Sequence, residues 1–342
     1  MSNLKVLIVE DSLIVQEVLK DILSSDSEIE VIGAAGNGRE GVQKAAKYKP
    51  DIITLDIHMP IMNGLEAIEE IMGSQPIPIL VISSSEDAKT AFDACSRGAL
   101  DVFPKSKLDA TTADALIHKI KLLSKIKVIR RFKPKKDRVN ALEVNDSSYG
   151  NSSSFEKVVA IACSTGGPKA LSVILSELNP QFPYPIAVAQ HMENGFGEGF
   201  ASWLNDVSSI PVCEAKDGGF LIPGTVHICP PESNMQVESN GQISFLGINE
   251  MNPFRPSCDT LLASFAYSFG DKSIGLILSG MADDGVAGIE KIKEKGGITI
   301  AQDEETSVVF GMNARAISAG VIGTVLSLNE IPMYLNRLAR KN

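Results

Sequence analysis

The feature of this chain that most restricts its fold is an alternation of short apolar runs with amphipathic segments. Within the first amphipathic segment the apolar residues recur every three or four positions, a spacing that predicts a helix: Ile14, Val18, Leu19, Ile22 and Leu23. The short runs predict strands at Lys5–Val9, Ile29–Ala35, Ile52–Leu55, Ile79–Ile82 and Asp101–Pro104. Five strands alternating with helices are typical of a doubly wound α/β domain with a five-stranded parallel sheet.

The same alternation resumes after residue 155 and predicts a second doubly wound α/β domain. The apolar runs that we interpret as its strands are Val158–Ala162, Pro185–Ala189, Thr225–Cys229, Ile274–Leu278 and Ile298–Ala301. A chain of 342 residues, 44% of them hydrophobic, is long enough to bury two cores.

Composition separates the two domains. An apolar, lysine-rich helical pattern runs from Leu116 to Ile129, and the sequence then turns basic at residues 130–136 and polar at residues 145–154. Such a stretch is typical of a linker. We therefore predict domains at residues 1–124 and 155–342, joined by a linker at residues 125–154.

Bulk composition excludes some classes of function. The net charge of −10 argues against broad nucleic-acid binding, which needs a basic surface. The chain has neither an apparent secretory signal nor an apolar stretch long enough for a bilayer, so we expect a cytoplasmic protein without membrane insertion. Its five cysteines form no CxxC pair, so neither a zinc site nor a disulfide framework is indicated.

Polar side chains follow the strands of the first domain at the carboxyl edge of the sheet. Glu10 and Asp11 follow the first strand, and Asp56 follows the third. Ligands of open parallel sheets bind at this edge, so the three carboxylates should converge and hold a cation such as Mg²⁺. Ser83 and Lys105 end two further strands, where a hydroxyl and an ammonium would bind a phosphoryl group on Asp56.

A serine followed by a glycine turn ends the first strand of the second domain. Ser164 comes after the run Val158–Ala162 and Cys163, and Thr165, Gly166, Gly167 and Pro168 follow it. A strand-to-helix turn of this kind exposes a hydroxyl beside free backbone N–H groups, which suits a nucleophile with an oxyanion site. Taken alone, the turn could equally cradle a phosphate.

A serine nucleophile needs a base, and the base needs a carboxylate that orients it. Of the four histidines, His191 is favoured because it ends a strand, as Ser164 does. The loop after the strand Ile274–Leu278 contains Asp283 and Asp284, and spacing does not choose between them. This Asp-Asp pair could also bind a metal or cap a helix.

The first 124 residues resemble a response-regulator receiver domain. The motifs that carry the resemblance are Glu10-Asp11, Asp56 within Leu55-Asp56-Ile57-His58-Met59-Pro60, Gly64, Ser83 and Lys105. The resemblance implies that a histidine kinase phosphorylates Asp56 and that Mg²⁺ is required. The proline that commonly follows the lysine in this family is Ser106 here, so we do not expect a cis peptide at that bond.

The chain from Lys157 to about Val325 resembles the catalytic domain of chemotaxis response-regulator protein-glutamate methylesterases, the CheB family. The motifs are Ala162-Cys163-Ser164-Thr165-Gly166-Gly167-Pro168, Gln190-His191-Met192, Arg255-Pro256-Ser257-Cys258-Asp259, Ser279-Gly280-Met281-Ala282-Asp283-Asp284-Gly285 and residues 301–312. Receiver, linker and this domain in that order form the architecture of the whole family.

The resemblance implies a mechanism and its residues. The catalytic triad maps onto Ser164, His191 and Asp284, with oxyanion donors at Thr165, Gly166 and Gly167 and a supporting one at Met281. The implied enzyme demethylates glutamate methyl esters, and deamidates glutamines, on methyl-accepting chemoreceptors. No cofactor is expected for hydrolysis. Phosphorylation of Asp56 is expected to relieve a receiver that covers the active site, in a chain that we expect to be a monomer.

Two other functions stay open at this point. One is a receiver-controlled serine hydrolase with a different ester or amide substrate, and the other is a non-catalytic binding module switched by phosphorylation. The first is kept because four positions depart from the family pattern near loops that would shape the substrate groove: Glu193, Gly197, Asn234 and Asn313. Cys163 also replaces a common alanine and is expected to point away from the active face.

Overall fold

The computed structural model describes residues 3–109, 111–128, 155–247 and 254–340. The chain divides into two compact units, Met1–Asp137 and Arg138–Asn342. Most of the predicted linker lies outside the described residues, and the proposed domain boundaries stay predictions. Among the described residues, no helix combines the length and the apolarity needed to cross a membrane.

The first unit is built on a five-stranded parallel sheet with the strand order β2-β1-β3-β4-β5. Its strands are β1 Leu4–Val9, β2 Ile29–Ala35, β3 Ile52–Leu55, β4 Ile79–Ser83 and β5 Asp101–Pro104. Its α-helices are α1 Leu13–Ser24, α2 Gly38–Tyr48, α3 Gly64–Ser74, α4 Ala88–Arg97 and α5 Ala113–Leu123. The prediction of a flavodoxin-like, doubly wound receiver fold is confirmed.

The second unit contains a seven-stranded parallel sheet with the order β14-β13-β12-β6-β7-β9-β8, and a two-stranded antiparallel hairpin of β10 and β11. Its strands are β6 Val158–Cys163, β7 Ile186–Gln190, β8 Val212–Glu214, β9 Val226–Ile228, β10 Asn234–Val237, β11 Ile243–Leu246, β12 Ser273–Ile277, β13 Ile298–Gln302 and β14 Thr324–Leu326. Its α-helices are α6 Gly167–Ser176, α7 Gly197–Val207, α8 Cys258–Phe269, α9 Val286–Glu294, α10 Met312–Ser318 and α11 Glu330–Ala339.

The central strands of both sheets are buried on both faces, which explains their uninterrupted apolar sequences. Every side chain of β6 is inaccessible to solvent, and the last four of β1 are as well. A continuous apolar run therefore places the polar residue that follows it at the carboxyl edge of the sheet. The predicted functional residues of both units follow such strands.

The helix predicted from Leu116 to Ile129 ends earlier than expected, at Leu123. The Ser124 hydroxyl donates to the Lys121 carbonyl, and the N–H groups of Lys125 and Ile126 bond three residues back. These bonds satisfy the last carbonyls and tighten the final turn, so the helix stops there. In α1, the first helix of the chain, Ile14 of the predicted apolar face is 79% exposed, because it lies in the first turn, ahead of the buried turns.

Candidate functional site

Ser164 directly follows β6, in the sharp turn that leads into α6. Its backbone N–H donates to the Ser279 carbonyl at 3.0 Å, and its own carbonyl accepts from Gly167 at 2.8 Å. The side chain is half-buried, and its hydroxyl makes no hydrogen bond within the part of the chain that the structure describes. The hydroxyl is thus presented at the carboxyl edge of the sheet, at the start of a helix.

The turn after Ser164 requires glycine for two separate reasons. Gly166 has a φ of 82°, and a Cβ there would come within 2.5 Å of the Cβ of Val308. A Cβ on Gly167 would collide with the Gln190 side-chain oxygen. The Gly167 N–H already donates to the Ser164 carbonyl, whereas the N–H groups of Thr165 and Gly166 have no acceptor among the described residues.

His191 lies directly after β7, the neighbour of β6 in the sheet. Its Nε2 is 2.7 Å from Oδ2 of Asp284, which lies in the loop after β12 on the other side of β6. The imidazole stacks on Phe254, with ring centroids 5.2 Å apart and planes 9° apart. Because Nε2 bonds the carboxylate, Nδ1 is the ring nitrogen left to accept a proton.

Asp284 is fixed at the N-terminus of α8. Its Oδ2 accepts from the Cys258 N–H at 2.6 Å, and its Oδ1 accepts from the Asp259 N–H at 2.9 Å. The hydroxyl of Ser257, the N-cap residue of α8, lies 3.2 Å from Oδ1 as a third donor. Burial by itself raises the pKa of this carboxyl, but the bond with His191 and the two backbone donors outweigh burial and lower it. Asp284 therefore stays ionised beside the imidazole.

Asp283 has a different environment from its neighbour. Its side chain is 67% exposed and lies 3.4 Å from Arg315. The structure therefore brings Ser164, His191 and Asp284 to three adjacent strand ends and leaves Asp283 at the surface. The catalytic roles of the three residues are proposals, developed below.

Ser279 and Asp259 support this arrangement, and the sequence offered no signal for either beyond their membership in motifs. The buried Ser279 hydroxyl donates to the Thr165 carbonyl at 2.7 Å and accepts from the Val309 N–H at 2.9 Å. Asp259 Oδ1 accepts from the N–H groups of Gly285 and Gly288, at the start of α9. Both residues hold the backbone on either side of the site.

The predicted acidic cluster of the first unit is also assembled. Glu10, Asp11 and Asp56 each offer an oxygen within 4.8 Å of the others. Lys105 Nζ lies 2.8 Å from Oδ2 of Asp56 and 3.0 Å from Oε2 of Glu10. Burial lowers the pKa of Lys105, but its bonds with the two carboxylates raise it by more, so it stays charged. The buried Ser83 ends β4, and its hydroxyl donates to the Ser84 carbonyl at 3.3 Å.

These residues fit a Mg²⁺ ion. Oxygen ligands are the ones Mg²⁺ prefers, and two of the three carboxylates are buried and repel each other. Burial raises the pKa of Glu10, and the nearby Asp56 carboxylate raises it further, which reflects that repulsion. A divalent cation would relieve it. The Lys105–Ser106 peptide bond is trans, as expected.

Comparison with known proteins assigns both units. Residues 159–335 match the model of the CheB methylesterase family, and residues 6–119 match that of the response regulator receiver domain. The chain belongs to the CheB methylesterase family. This membership confirms the predicted architecture and the prediction that the chain is a methylesterase-class hydrolase with a receiver domain.

Relatives extend over the full chain. A protein from Paramagnetospirillum magneticum named protein-glutamate methylesterase/protein-glutamine glutaminase 3 is 41% identical, with 97% of this chain and 95% of that protein covered. A protein from Nitrosospira multiformis named protein-glutamate methylesterase/protein-glutamine glutaminase is 40% identical, with 98% of this chain and 97% of that protein covered. The crystal structure of the Thermotoga maritima CheB methylesterase catalytic domain is 40% identical, with a TM-score of 0.51, and covers 53% of this chain and 98% of that chain.

A second group of potential metal ligands fits a metal poorly. His191, Cys258 and Asp284 bring ligand atoms within 4.8 Å of one another. The carboxylate is already saturated by protein donors, however, and the Cys258 thiol is fully buried beside it. Burial, and then the charge of Asp284, raise the pKa of this thiol well above its usual value, so the thiolate that a metal needs is disfavoured. Burial likewise raises the pKa of Cys163, whose thiol lies near the Ala189 carbonyl.

The four departures from the CheB pattern occupy different environments. Asn313 and Asn234 are buried, so neither forms the surface of a groove. Asn234 Oδ1 accepts from the Ser257 N–H at 2.7 Å, just before α8, and Asn313 donates to the Gln302 carbonyl at 2.7 Å. Gly197 is buried against Glu214 and Pro231, and Glu193 is exposed. Of the four, Glu193 is the one that is exposed at the surface.

Proposed function

We propose that this protein hydrolyses γ-methyl esters of glutamate side chains on chemoreceptors, and deamidates glutamines there, through Ser164, His191 and Asp284. The observation that carries the proposal is the 2.7 Å contact between His191 Nε2 and the Asp284 carboxylate, which accepts two N–H bonds from the start of α8. His191 follows β7, and Ser164 follows the neighbouring strand β6 in a glycine turn. The names of the curated relatives supply the substrate class.

In the acylation step, Ser164 Oγ attacks the γ-carbonyl carbon of the ester, and its proton passes to Nδ1 of His191. The Asp284 carboxylate holds the Nε2 proton and stabilises the imidazolium that forms. When the tetrahedral intermediate collapses, the bond to the methoxy oxygen breaks. The leaving group takes the proton from His191 and departs as methanol.

In the deacylation step, water attacks the acyl carbon and gives its proton to His191, and the ester bond to Ser164 breaks with return of that proton to Oγ. The products are a glutamate side chain and the free serine. A glutamine substrate follows the same course, with ammonia as the leaving group in place of methanol. In the common form of such a triad, Nε2 of the histidine faces the serine. In this protein Nε2 of His191 faces Asp284, and Nδ1 is the proposed base.

The N–H groups of Thr165 and Gly166 are the proposed donors to the tetrahedral oxyanion. Both have no protein acceptor in the described structure and lie at the N-terminus of α6, where the helix dipole favours negative charge. Gly167 holds the turn through its bond to Ser164, and Met281 stays a predicted supporting donor.

Phosphorylation of Asp56 by a histidine kinase is the proposed control of this activity. Glu10, Asp11 and Asp56 would hold Mg²⁺, which neutralises carboxylates and the charge of an incoming phosphoryl group. Lys105 lies within 2.8 Å of Asp56, and Ser83 ends the adjacent strand, so both would bind oxygens of the phosphoaspartate.

The test is methanol release from chemoreceptors that carry labelled methyl groups. We expect the wild type to release methanol and Ser164→Ala to release none above background. Ser172→Ala is the matched control, because the Ser172 hydroxyl lies on α6 and, among the described residues, bonds only the Lys169 carbonyl; its rate should equal that of the wild type. A wild type without methanol release contradicts the proposed substrate, and release by Ser164→Ala contradicts the role of the serine.

A further inference from the structure

Gln190 is a buried polar residue that the mechanism above does not use. It is the last residue of β7 and is 2% exposed. Its side-chain Nε2 donates to the Ser164 carbonyl at 3.0 Å and to the His191 carbonyl at 2.8 Å. A primary amide has two N–H protons, so each carbonyl receives one of them. The carboxamide therefore joins the backbones of the proposed nucleophile and the proposed base.

This side chain continues the sheet beyond its last backbone rung. The pairing of β6 with β7 ends at Cys163 and Gln190, where the His191 N–H donates to the Cys163 carbonyl at 3.0 Å. Past this point the Ser164 N–H turns to the Ser279 carbonyl, on the opposite side of β6. No further backbone bond in the described structure links Ser164 to His191. The Gln190 amide is the link that remains.

The carboxamide oxygen of Gln190 makes no hydrogen bond within the described residues. It is directed at Gly167, where an added Cβ would collide with it. A buried, unpartnered oxygen is unfavourable, and such groups call for a specific explanation. The two N–H groups can reach both carbonyls only in this orientation, which leaves the oxygen facing the glycine. The second glycine of the serine turn and Gln190 are thus sterically linked.

We propose that Gln190 is a positioning residue, whose carboxamide fixes the separation and orientation of Ser164 and His191 by bonding both carbonyls. The inference rests on the function proposed above. Ser164 is held from one side by Ser279 and from the other by Gln190, and His191 is held by Asp284 at the ring and by Gln190 at the backbone. Without the amide, the two residues keep their outer contacts and lose the one between them.

The test uses Gln190→Met, which keeps the length of the side chain and removes both donors. We expect kcat for methyl-ester hydrolysis to fall about 100-fold with KM changed less than about 3-fold, since misplacement of a reacting group by about 1 Å has an effect of this size. The rate at which a fluorophosphonate phosphonylates Ser164, with loss of fluoride, should fall by a similar factor, because that reaction needs the serine and imidazole geometry but no receptor.

The matched control is Thr299→Val on β13, which also removes buried hydrogen bonds, to the Val321 carbonyl and the Gly323 N–H. It should lower the unfolding midpoint and leave the phosphonylation rate per folded molecule unchanged. If Gln190→Met does not fold, Gln190→Asn decides by the same criteria, because its amide is one methylene too short to reach both carbonyls.

The outcomes separate the two proposals. A wild type whose Ser164 is not labelled by the fluorophosphonate contradicts the proposed function, and the role of Gln190 with it. A wild type that is labelled, together with a folded Gln190 variant labelled at the same rate, overturns the role of Gln190 alone. If Thr299→Val slows labelling per folded molecule by the same factor as the Gln190 variant, the loss reflects stability alone, and that result overturns the inference as well.

Discussion

At the scale of single residues, the choice between Asp283 and Asp284 shows what the structure adds to the sequence. The two are adjacent and chemically identical, and their positions after β12 give no physical reason to prefer one. The family resemblance is what favours Asp284. The structure adds the reason: Asp284 accepts two N–H bonds from the start of α8 and bonds His191, whereas Asp283 is exposed.

Asp284→Asn should reduce kcat by about 10³- to 10⁴-fold, because the amide no longer stabilises the imidazolium or selects the tautomer with its proton on Nε2. The measurement is methanol release at saturating substrate. Asp283→Asn is the matched control, and we expect it to stay within about 3-fold of the wild type. Equal losses in the two variants would refute the assignment.

The buried His227 gives a prediction for the pH dependence of stability. Its Nε2 accepts from the Ile222 N–H, and burial lowers its pKa to about 4 from the ordinary 6.5. The unfolded chain therefore binds the proton more tightly, so the contribution of His227 to stability is present above pH 6.5 and is lost as the pH falls towards 4. Between pH 7 and pH 5 this amounts to about 2 kcal/mol of unfolding free energy.

Urea unfolding of the second unit at those two pH values checks the prediction. In His227→Gln the decline in unfolding free energy should be smaller than in the wild type by that amount. His118→Gln, which changes an exposed histidine on α5, should retain the wild-type decline. The same decline in all three proteins would show that His227 titrates normally.

At the scale of elements, α8 and α9 are joined by hydrogen bonds in both directions, because a carboxylate beside each helix accepts from the N-terminus of the other. Asp284, just before α9, accepts from the first N–H groups of α8, and Asp259, in the first turn of α8, accepts from Gly285 and Gly288 at the start of α9. Each helix N-terminus is thus capped by a side chain associated with the other. The loop that contains Asp284, the proposed triad carboxylate, is held by these hydrogen bonds.

Asp259→Ala should cost about 2 kcal/mol of unfolding free energy, because it leaves two N–H groups at the start of α9 without their acceptor. Because the loop at Asp284 loosens, kcat should also fall by at least about 10-fold. Asn63→Ala, which removes the capping box of α3 in the first unit, is the control: it should cost about 1 kcal/mol and leave kcat unchanged in the unphosphorylated protein. A loss of stability in Asp259→Ala with unchanged kcat would show that Asp259 does not position the proposed catalytic site.

The sequence predicts the central strands of both units well and several peripheral strands of the second unit poorly, for a physical reason. β1 and β6 are buried on both faces, so each is a continuous apolar run with a polar residue at its end. The edge strands β8 and β14 have three residues each, too few for any periodicity, and the hairpin of β10 and β11 alternates only weakly. The apolar runs predict none of these four strands.

The same reasoning explains which site residues could be predicted. Ser164, His191, Asp56 and Lys105 each follow a buried strand, and the rule that parallel sheets bind at their carboxyl edge brings them together. Ser279, Asp259 and Gln190 act through backbone groups of distant segments, and the spacing of residues along the sequence does not indicate such contacts. Motif membership was the signal available for them.

At the scale of the whole molecule, the chain pairs a receiver with a methylesterase unit, and we propose that the first controls the second. In the presence of Mg²⁺ and a small-molecule phosphodonor, the wild type should release methanol faster. Asp56→Asn should keep the unstimulated rate and show no increase, since it has no carboxylate to accept the phosphoryl group. Asp51→Asn, an exposed carboxylate just before β3, is the control and should be stimulated normally. Stimulation that survives in Asp56→Asn would contradict control through this residue.

Acyl transfer through Ser164 leaves a covalent intermediate on the enzyme, and a rapid-quench experiment detects it. Excess enzyme is mixed with a receptor peptide bearing a glutamate γ-methyl ester, quenched in acid on the millisecond scale and digested for mass spectrometry. Acyl transfer through Ser164 predicts that methanol appears ahead of free glutamate, with the acyl group on the peptide that contains Ser164. Methanol and glutamate appearing together at every time point, with the Ser164 peptide unmodified while turnover proceeds, would contradict it.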